Sequence, residues 1–492
     1  MTKVLLYDNV SSVPQDIANL LGVSRYSDIY YRKRSLDRWI SDICAEAGIQ
    51  FVELNANRGS RDAVGELANY SAGELVVMYL PAFIAFGCPE ETAALFLRKL
   101  SFTRSSLYVM QDDAMPSVDR LQVAVTVGGL AQSLLRAAAV GEPVAELLAG
   151  SFDQMHALKG DVSMIDMRDP LHFTDYLTSN FDVRFFNSVQ TINDFVLIKR
   201  SSEVDKLRRE HRYYSLLPPE LQMFFIQPYD FQVDGRGASY KMERLFVPDT
   251  ALQWIHGSLD RLSFERFLDK VFYYVMARPV RRVTDDVAKS VYLDAYRDKV
   301  RARCAQFEGQ QEYVRIKPYI DANFGGVDAL FERYFRLLER VGSRGVSREL
   351  RIGHGDLCFS NILYSKITGM MRFIDPRGAD GEDDLYVSPY YDLAKLSHSI
   401  VGNYDFINYG LCELGIDTDL RVRLSVDPGS PPWARELFES RLRLHGFDPA
   451  LIRLFEASLF LSMAPLHIDA PKKVLAFLVN ADGILSELEP LL

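Results

Sequence analysis

His354-Gly-Asp-Leu-Cys-Phe-Ser-Asn361, followed by Arg372-Phe-Ile-Asp375-Pro-Arg-Gly378, sets a carboxylate, an amide and a second carboxylate on one short loop-and-strand unit. Phosphoryl transfer asks little covalent chemistry of a protein. It needs a carboxylate near the attacking hydroxyl and oxygen ligands for the magnesium that bridges the nucleotide phosphates. Asp356 is placed to accept a hydrogen bond from such a hydroxyl. Asn361, five residues on, and Asp375, nineteen residues on, offer the hard oxygen donors that magnesium prefers. Met371 to Ile374 reads as a short strand that delivers Asp375 at its end, with Pro376 and Gly378 turning the chain away.

These residues resemble the catalytic segment of the aminoglycoside phosphotransferase and choline kinase family, a branch of the protein-kinase-like fold. His354-Gly355-Asp356 with Asn361 matches that family's catalytic loop, and Ile374-Asp375 with Gly378 matches its metal-binding segment. The resemblance implies a bilobal α+β domain, ATP or GTP as phosphoryl donor, Mg2+ on Asn361 and Asp375, and a small-molecule hydroxyl acceptor facing Asp356, with His354 in support. It also implies an amino lobe carrying a strand lysine and a helix glutamate.

Phe195-Val-Leu-Ile-Lys199 reads as a strand ending on a lysine able to reach nucleotide phosphates. In Glu203 to Leu217, the residues Val204, Leu207, His211, Tyr214 and Leu217 recur at helical spacing, and Glu203 and Glu210 share another face. Either glutamate is placed to pair with Lys199; the family pattern favours Glu210. Phe224 to Val233 and Ala238 to Val247 read as a hairpin turned by Asp234-Gly-Arg-Gly237, after which Met242-Glu243 resembles the hinge whose backbone meets the adenine edge. One departure stands out. No glycine lies between Arg184 and Lys199, so a glycine-rich phosphate loop is absent, and Asn187, Ser188 and Asn193 are the turn formers.

Beyond the metal segment, the acidic run Ala379-Asp-Gly-Glu-Asp-Asp384 suits an amine-bearing acceptor or a solvated loop, whereas Arg377 suits a phosphate or an anionic acceptor. Tyr391-Asp392-Leu-Ala-Lys-Leu396 opens a helix. The family's aspartate at this place braces the catalytic loop, which gives Asp392 that role beside plain helix capping.

At 492 residues with 48% hydrophobic content, the chain predicts two or three domains. A formal net charge of −10 argues against nucleic-acid binding by counterion release. Five scattered cysteines, Cys358 among them as packing, fit reduced thiols in a cytoplasmic protein, and apolar runs such as Val76 to Gly87 are too short to span a bilayer. The oligomeric state is open.

Residues 1–155 alternate strand and helix, which predicts a parallel three-layer α/β domain. Arg34-Ser-Leu-Asp-Arg-Trp-Ile40 with Ala47-Gly-Ile49 resembles nucleotide-sugar pyrophosphorylases. Against activity there, the first strand runs into Asp8-Asn-Val-Ser-Ser-Val-Pro14, with no glycine before Gly22, and the strand ending Met78-Tyr-Leu-Pro81 lacks a metal aspartate. Asp112 and Asp113 remain as cation ligands. The expected layout is thus 1–155 as a degenerate nucleotidyltransferase-like domain, 156–180 as connector, 181–248 as amino lobe and 249–492 as helical carboxyl lobe. The expected activity is a sugar, sugar-derivative or amino-alcohol kinase serving cell-surface polysaccharide synthesis. A nucleotide-binding pseudokinase scaffold and an active amino-terminal nucleotidyltransferase are the alternatives.

Overall fold

Val4, Leu5 and Leu6 are all fully buried, so the first strand, β1 (Thr2–Asp8), must be covered on both faces. Side chains alternate along a strand. Leu5 and Tyr7 enter one core with Trp39, Ile40 and Ile43 of α1 (Leu36–Ala47). Val4 and Leu6 enter another. The computed structural model describes residues 2–31, 34–55, 58–111, 115–178 and 187–492, and the chain divides into two compact units, residues 1–180 and 181–492.

In the first unit, β2 (Gln50–Leu54), α2 (Arg58–Leu67), β3 (Leu75–Pro81), α3 (Glu90–Leu100), β4 (Leu107–Met110), β5 (Leu121–Val127), α4 (Gly128–Val140) and β6 (His156–Leu158) follow. The sheet order is β2-β1-β3-β5-β4-β6. Helices α1 and α3 line one core and α2 and α4 the other, giving the expected three layers. The expectation of a parallel sheet needs correcting: β5 runs antiparallel to both β3 and β4. Residues 111–120 between β4 and β5 are too few for a parallel crossover, which takes a dozen or more.

The stretch 156–180, read as a connector, also differs. It supplies β6, the strand Met164–Asp166 paired with Ile84–Phe86, and α5 (Pro170–Thr178), whose Phe173, Tyr176 and Leu177 are buried in the unit's core. Few apolar positions suffice when each is a large side chain. Asp112 and Asp113 lie outside the described residues.

The second unit opens with β7 (Asn187–Asn193), β8 (Val196–Ser201), α6 (Val204–Leu216), β9 (Pro228–Asp234) and β10 (Gly237–Glu243). The strands form an antiparallel sheet ordered β7-β8-β10-β9. Strand β8 continues two residues past Lys199 because pairing with β10 extends to Ser201 and Ala238. A helical lobe follows, containing α7 (Arg261–Ala277) and, after a helix Asp285–Leu293 and a π turn Asp294–Asp298, α8 (Lys299–Glu308). The sequence from Val287 to Gln306 carries amphipathic spacing throughout. Its periodicity could not reveal the turn, where the Lys299 N–H donates five residues back to the Asp294 carbonyl.

Three short strands, β11 (Glu349–Ile352), β12 (Ile362–Tyr364) and β13 (Met371–Phe373), frame the quoted segment. Helices α9 (Tyr391–Ile400), α10 (Pro449–Met463) and α11 (Pro471–Leu488) pack behind it. The stretch 449–467 is long and apolar enough to cross a membrane, which the sequence reading overlooked, and it is mostly buried inside this unit. The second unit thus has a bilobal α+β layout, a four-stranded antiparallel sheet with one helix followed by a helical lobe.

Candidate active site

Lys199 sits mid-strand on β8, and its side chain is only 2% exposed. A buried ammonium needs paired charges. Lys199 Nζ donates to Glu210 Oε1 at 2.5 Å and to Asp375 Oδ1 at 2.7 Å. Burial opposes its charge, but Asp375 and Glu210 outweigh this and raise its pKa. The Tyr240 hydroxyl donates to the same Glu210 oxygen at 2.5 Å. Glu210 is therefore the helix partner; Glu203 is the residue preceding α6, 3.7 Å from Lys206.

Asp375 reaches this pair because its loop docks on α6. The Ala379 N–H donates to the Arg209 carbonyl at 3.1 Å. Gly378, at φ 85°, lies so close to α6 that a Cβ would stand 2.7 Å from the Glu210 nitrogen. That close approach requires glycine.

The loop from His354 to Asn361 is held from beneath. Asp392, fully buried at the start of α9, accepts from the His354 and Gly355 N–H groups at 2.9 and 2.8 Å and from the Arg278 guanidinium at 2.6 Å. Asp392 thus ties the start of this loop to α9 and to Arg278. The His354 ring bridges two chain segments: Nδ1 accepts from the Asp356 N–H at 3.2 Å, and Nε2 lies 2.9 Å from the Ile374 carbonyl. These contacts assign the neutral tautomer protonated on Nε2, in keeping with burial, which lowers its pKa against the nearby carboxylates.

Asn361 Nδ2 donates to the Asp356 carbonyl at 2.8 Å, leaving the amide oxygen as the remaining donor atom to a ligand. Asn361 and Asp375 therefore offer one amide oxygen and one carboxylate, a hard set that fits magnesium. Cys358 is buried and its thiol pKa is pushed up by burial, which disfavours the thiolate. Deeper still, Asp405 is fully buried and its pKa is raised to about 7, chiefly by that burial.

The sequence reading missed Lys395. Its Nζ lies 2.8 Å from Asp356 Oδ1, and Asp356 raises its pKa against the effect of burial. Spacing held the clue, since Lys395 is three residues after Asp392 on the same helix. Tyr391, one turn earlier, was missed too: its hydroxyl accepts from Lys299 Nζ at 2.8 Å. Arg278 lies 114 residues from Asp392, and no local pattern announces it.

The acidic loop is largely self-satisfied. Asp380 pairs with Arg209 at 3.0 Å, Asp383 with Arg281 at 2.5 Å, and Asp384 accepts from the backbone of Asp380. Arg377 is exposed, its stem packed over Gly355 and its N–H on the His354 carbonyl at 2.8 Å. Met242 lines a small interior cavity with Glu210, Tyr240 and Asp375, and Glu243 is the exposed last residue of β10. In place of a glycine loop, β7 and β8 are joined by a tight turn in which the Asn193 side chain accepts from the Phe195 N–H at 2.9 Å. Trp254 is core, stacked on Phe264 at 4.8 Å.

No family model and no curated protein matches the chain. Among solved structures, an aminoglycoside phosphotransferase APH(3'')-Id from Streptomyces rimosus matches at 17% identity and TM-score 0.37, covering 57% of this chain and 89% of that one. A thermostable mutant of aminoglycoside phosphotransferase APH(4)-Ia matches at 11% identity and TM-score 0.37, covering 62% and 93%. An ethanolamine kinase from Plasmodium vivax matches at 12% identity and TM-score 0.35, covering 65% and 87%. The solved structures to which this chain is similar thus include aminoglycoside phosphotransferases and an ethanolamine kinase.

Proposed function

We propose that the chain is a nucleotide-dependent small-molecule kinase that phosphorylates a hydroxyl. One observation carries the reading: a buried lysine on a strand joins a helix glutamate and Asp375, from a segment 176 residues away, while Asp356 opens to solvent from the neighbouring loop. A strand lysine fixed by a helix glutamate is an arrangement for gripping nucleotide phosphates.

Asn361 and Asp375 would hold magnesium, which when bound neutralises charge on the donor phosphates. Asp356 accepts the hydrogen bond of the acceptor hydroxyl and orients it for in-line attack, taking its proton as the phosphoryl group departs the nucleotide. Lys199 turns from Asp375 toward phosphate oxygens, still fixed by Glu210. Lys395, against Asp356, adds positive charge where the phosphoryl group arrives. Met242 and Glu243 close the adenine side.

The acceptor class we propose is a sugar, sugar derivative or amino alcohol, in the synthesis of a surface polysaccharide. The test is acceptor-dependent ADP release across such compounds. Asp356→Ala and Asp375→Ala are each expected to lower kcat by about 10²-fold or more. An acceptor whose turnover survives both substitutions would falsify the assignment. Nucleotide binding without turnover of any acceptor would favour a scaffold.

A further inference from the structure

Lysines and arginines in a chain of formal net charge −10 have an excess of carboxylates to meet. Around Asp356 the pattern inverts. The acidic side chains Asp380 and Asp383 are matched by Arg209 and Arg281, whereas two cations have no carboxylate partner among the described residues. One is Lys299, whose ammonium meets only the neutral Tyr391 hydroxyl and, at 5.1 Å, the face of its ring. The other is Arg377, exposed over Gly355, the residue before Asp356.

Tyr391 and Lys395 are four apart on α9 and so share a face, about 6 Å between their Cβ atoms. Asp356, Lys395, Tyr391 and Lys299 therefore form one continuous polar row. Lysine beside the phenol lowers the Tyr391 pKa despite burial, which fits a row of net positive potential. Lys395 neutralises Asp356. Lys299, at the end of that row, and Arg377, whose stem packs against Gly355, remain as two positive charges without a carboxylate partner among the described residues, with the Tyr391 hydroxyl as a further donor.

We propose that the acceptor is a hydroxylated compound bearing a phosphate monoester, whose dianion is held by Lys299, Tyr391 and Arg377 while Asp356 takes a separate hydroxyl. This rests on the kinase reading for its chemistry, but the anion subsite stands on the charge arrangement itself. Two cations match a dianion better than a single carboxylate, and the arginine fork suits phosphate oxygens. An amine-bearing acceptor would meet repulsion at the same place.

The experiment is calorimetric binding to the full chain, with and without ATP and magnesium, of sugar and polyol phosphates beside their neutral parents, amino sugars and sugar acids. ADP release is followed in parallel. The expected result is that at least one phosphate ester binds about tenfold or more tightly than its parent. Lys299→Met together with Arg377→Ala should erase that difference while ATP affinity stays the same. If esters bind no better than their parents, if amino sugars or sugar acids bind better, or if the double variant loses ATP instead, the subsite proposal fails. Ester binding without ADP release would retain the subsite and sink the kinase reading; ADP release from neutral or amine acceptors alone would do the reverse.

Discussion

Asp405 and Lys395 illustrate what single residues contribute and how differently each is legible. Asp405 is fully buried, and burial raises its pKa to about 7. An acid whose pKa rises on folding stabilises the fold below its unfolded value, and that contribution is lost as pH rises through the folded value. Between roughly pH 4 and 7 the penalty grows by about 1.4 kcal/mol per pH unit. Asp405→Asn is therefore expected to gain stability relative to wild type as pH increases from 4 to 8, measured by urea denaturation at each pH. Parallel curves for the two proteins across that range would contradict the assignment. Nothing in the sequence marks Asp405, since Asn403-Tyr-Asp405 reads as an ordinary polar turn and only the packing around it removes water. Lys395 is different: its three-residue offset from Asp392 put both on one helix face, and the spacing was readable once α9 was recognised.

At the scale of elements, α9 is the keystone of the loop from His354 to Asn361 because one carboxylate serves two loop N–H groups and a buried guanidinium. Removing one member of a buried ion pair leaves a naked charge. Asp392→Ala is expected to destabilise the second unit by about 3–5 kcal/mol. Arg278→Met with Asp392→Leu should recover part of that loss, because no charge then remains unpaired, though activity should not return. Chemical denaturation of the single and double variants checks both statements. A helix with apolar residues at three and four spacing was legible nearly to its ends, as in α6, read over Glu203 to Leu217 and found at Val204–Leu216, because one buried face dictates the pattern. The direction of β5 was legible only in the shortness of the connection 111–120. Strand polarity is set by the connection that leads into it, and alternating hydrophobicity looks the same both ways.

Considered whole, the chain keeps separate cores in its two units. A unit with its own core can fold alone. Residues 181–492 expressed without the first unit are expected to melt cooperatively and to bind ATP with the affinity of the full chain, as calorimetry would measure. Loss of binding in a folded fragment would tie the first unit to nucleotide recognition. The pairing of Lys199 with Glu210 could be read from the sequence because a buried ammonium admits few partner types. The boundary of the first unit could not, since α5 is tied to it through three large side chains in an otherwise polar stretch. The π turn Asp294–Asp298 has a consequence of another kind. A π turn contains one residue more than an α-helix needs, so it offsets the rotational phase of everything after it by about 100°. Lys299 is the first residue beyond that offset, and its alignment with Tyr391 depends on the number of preceding residues as well as on its own identity. Among homologous chains, a one-residue deletion there would retune the approach to Asp356 without exchanging a single amino acid in the site.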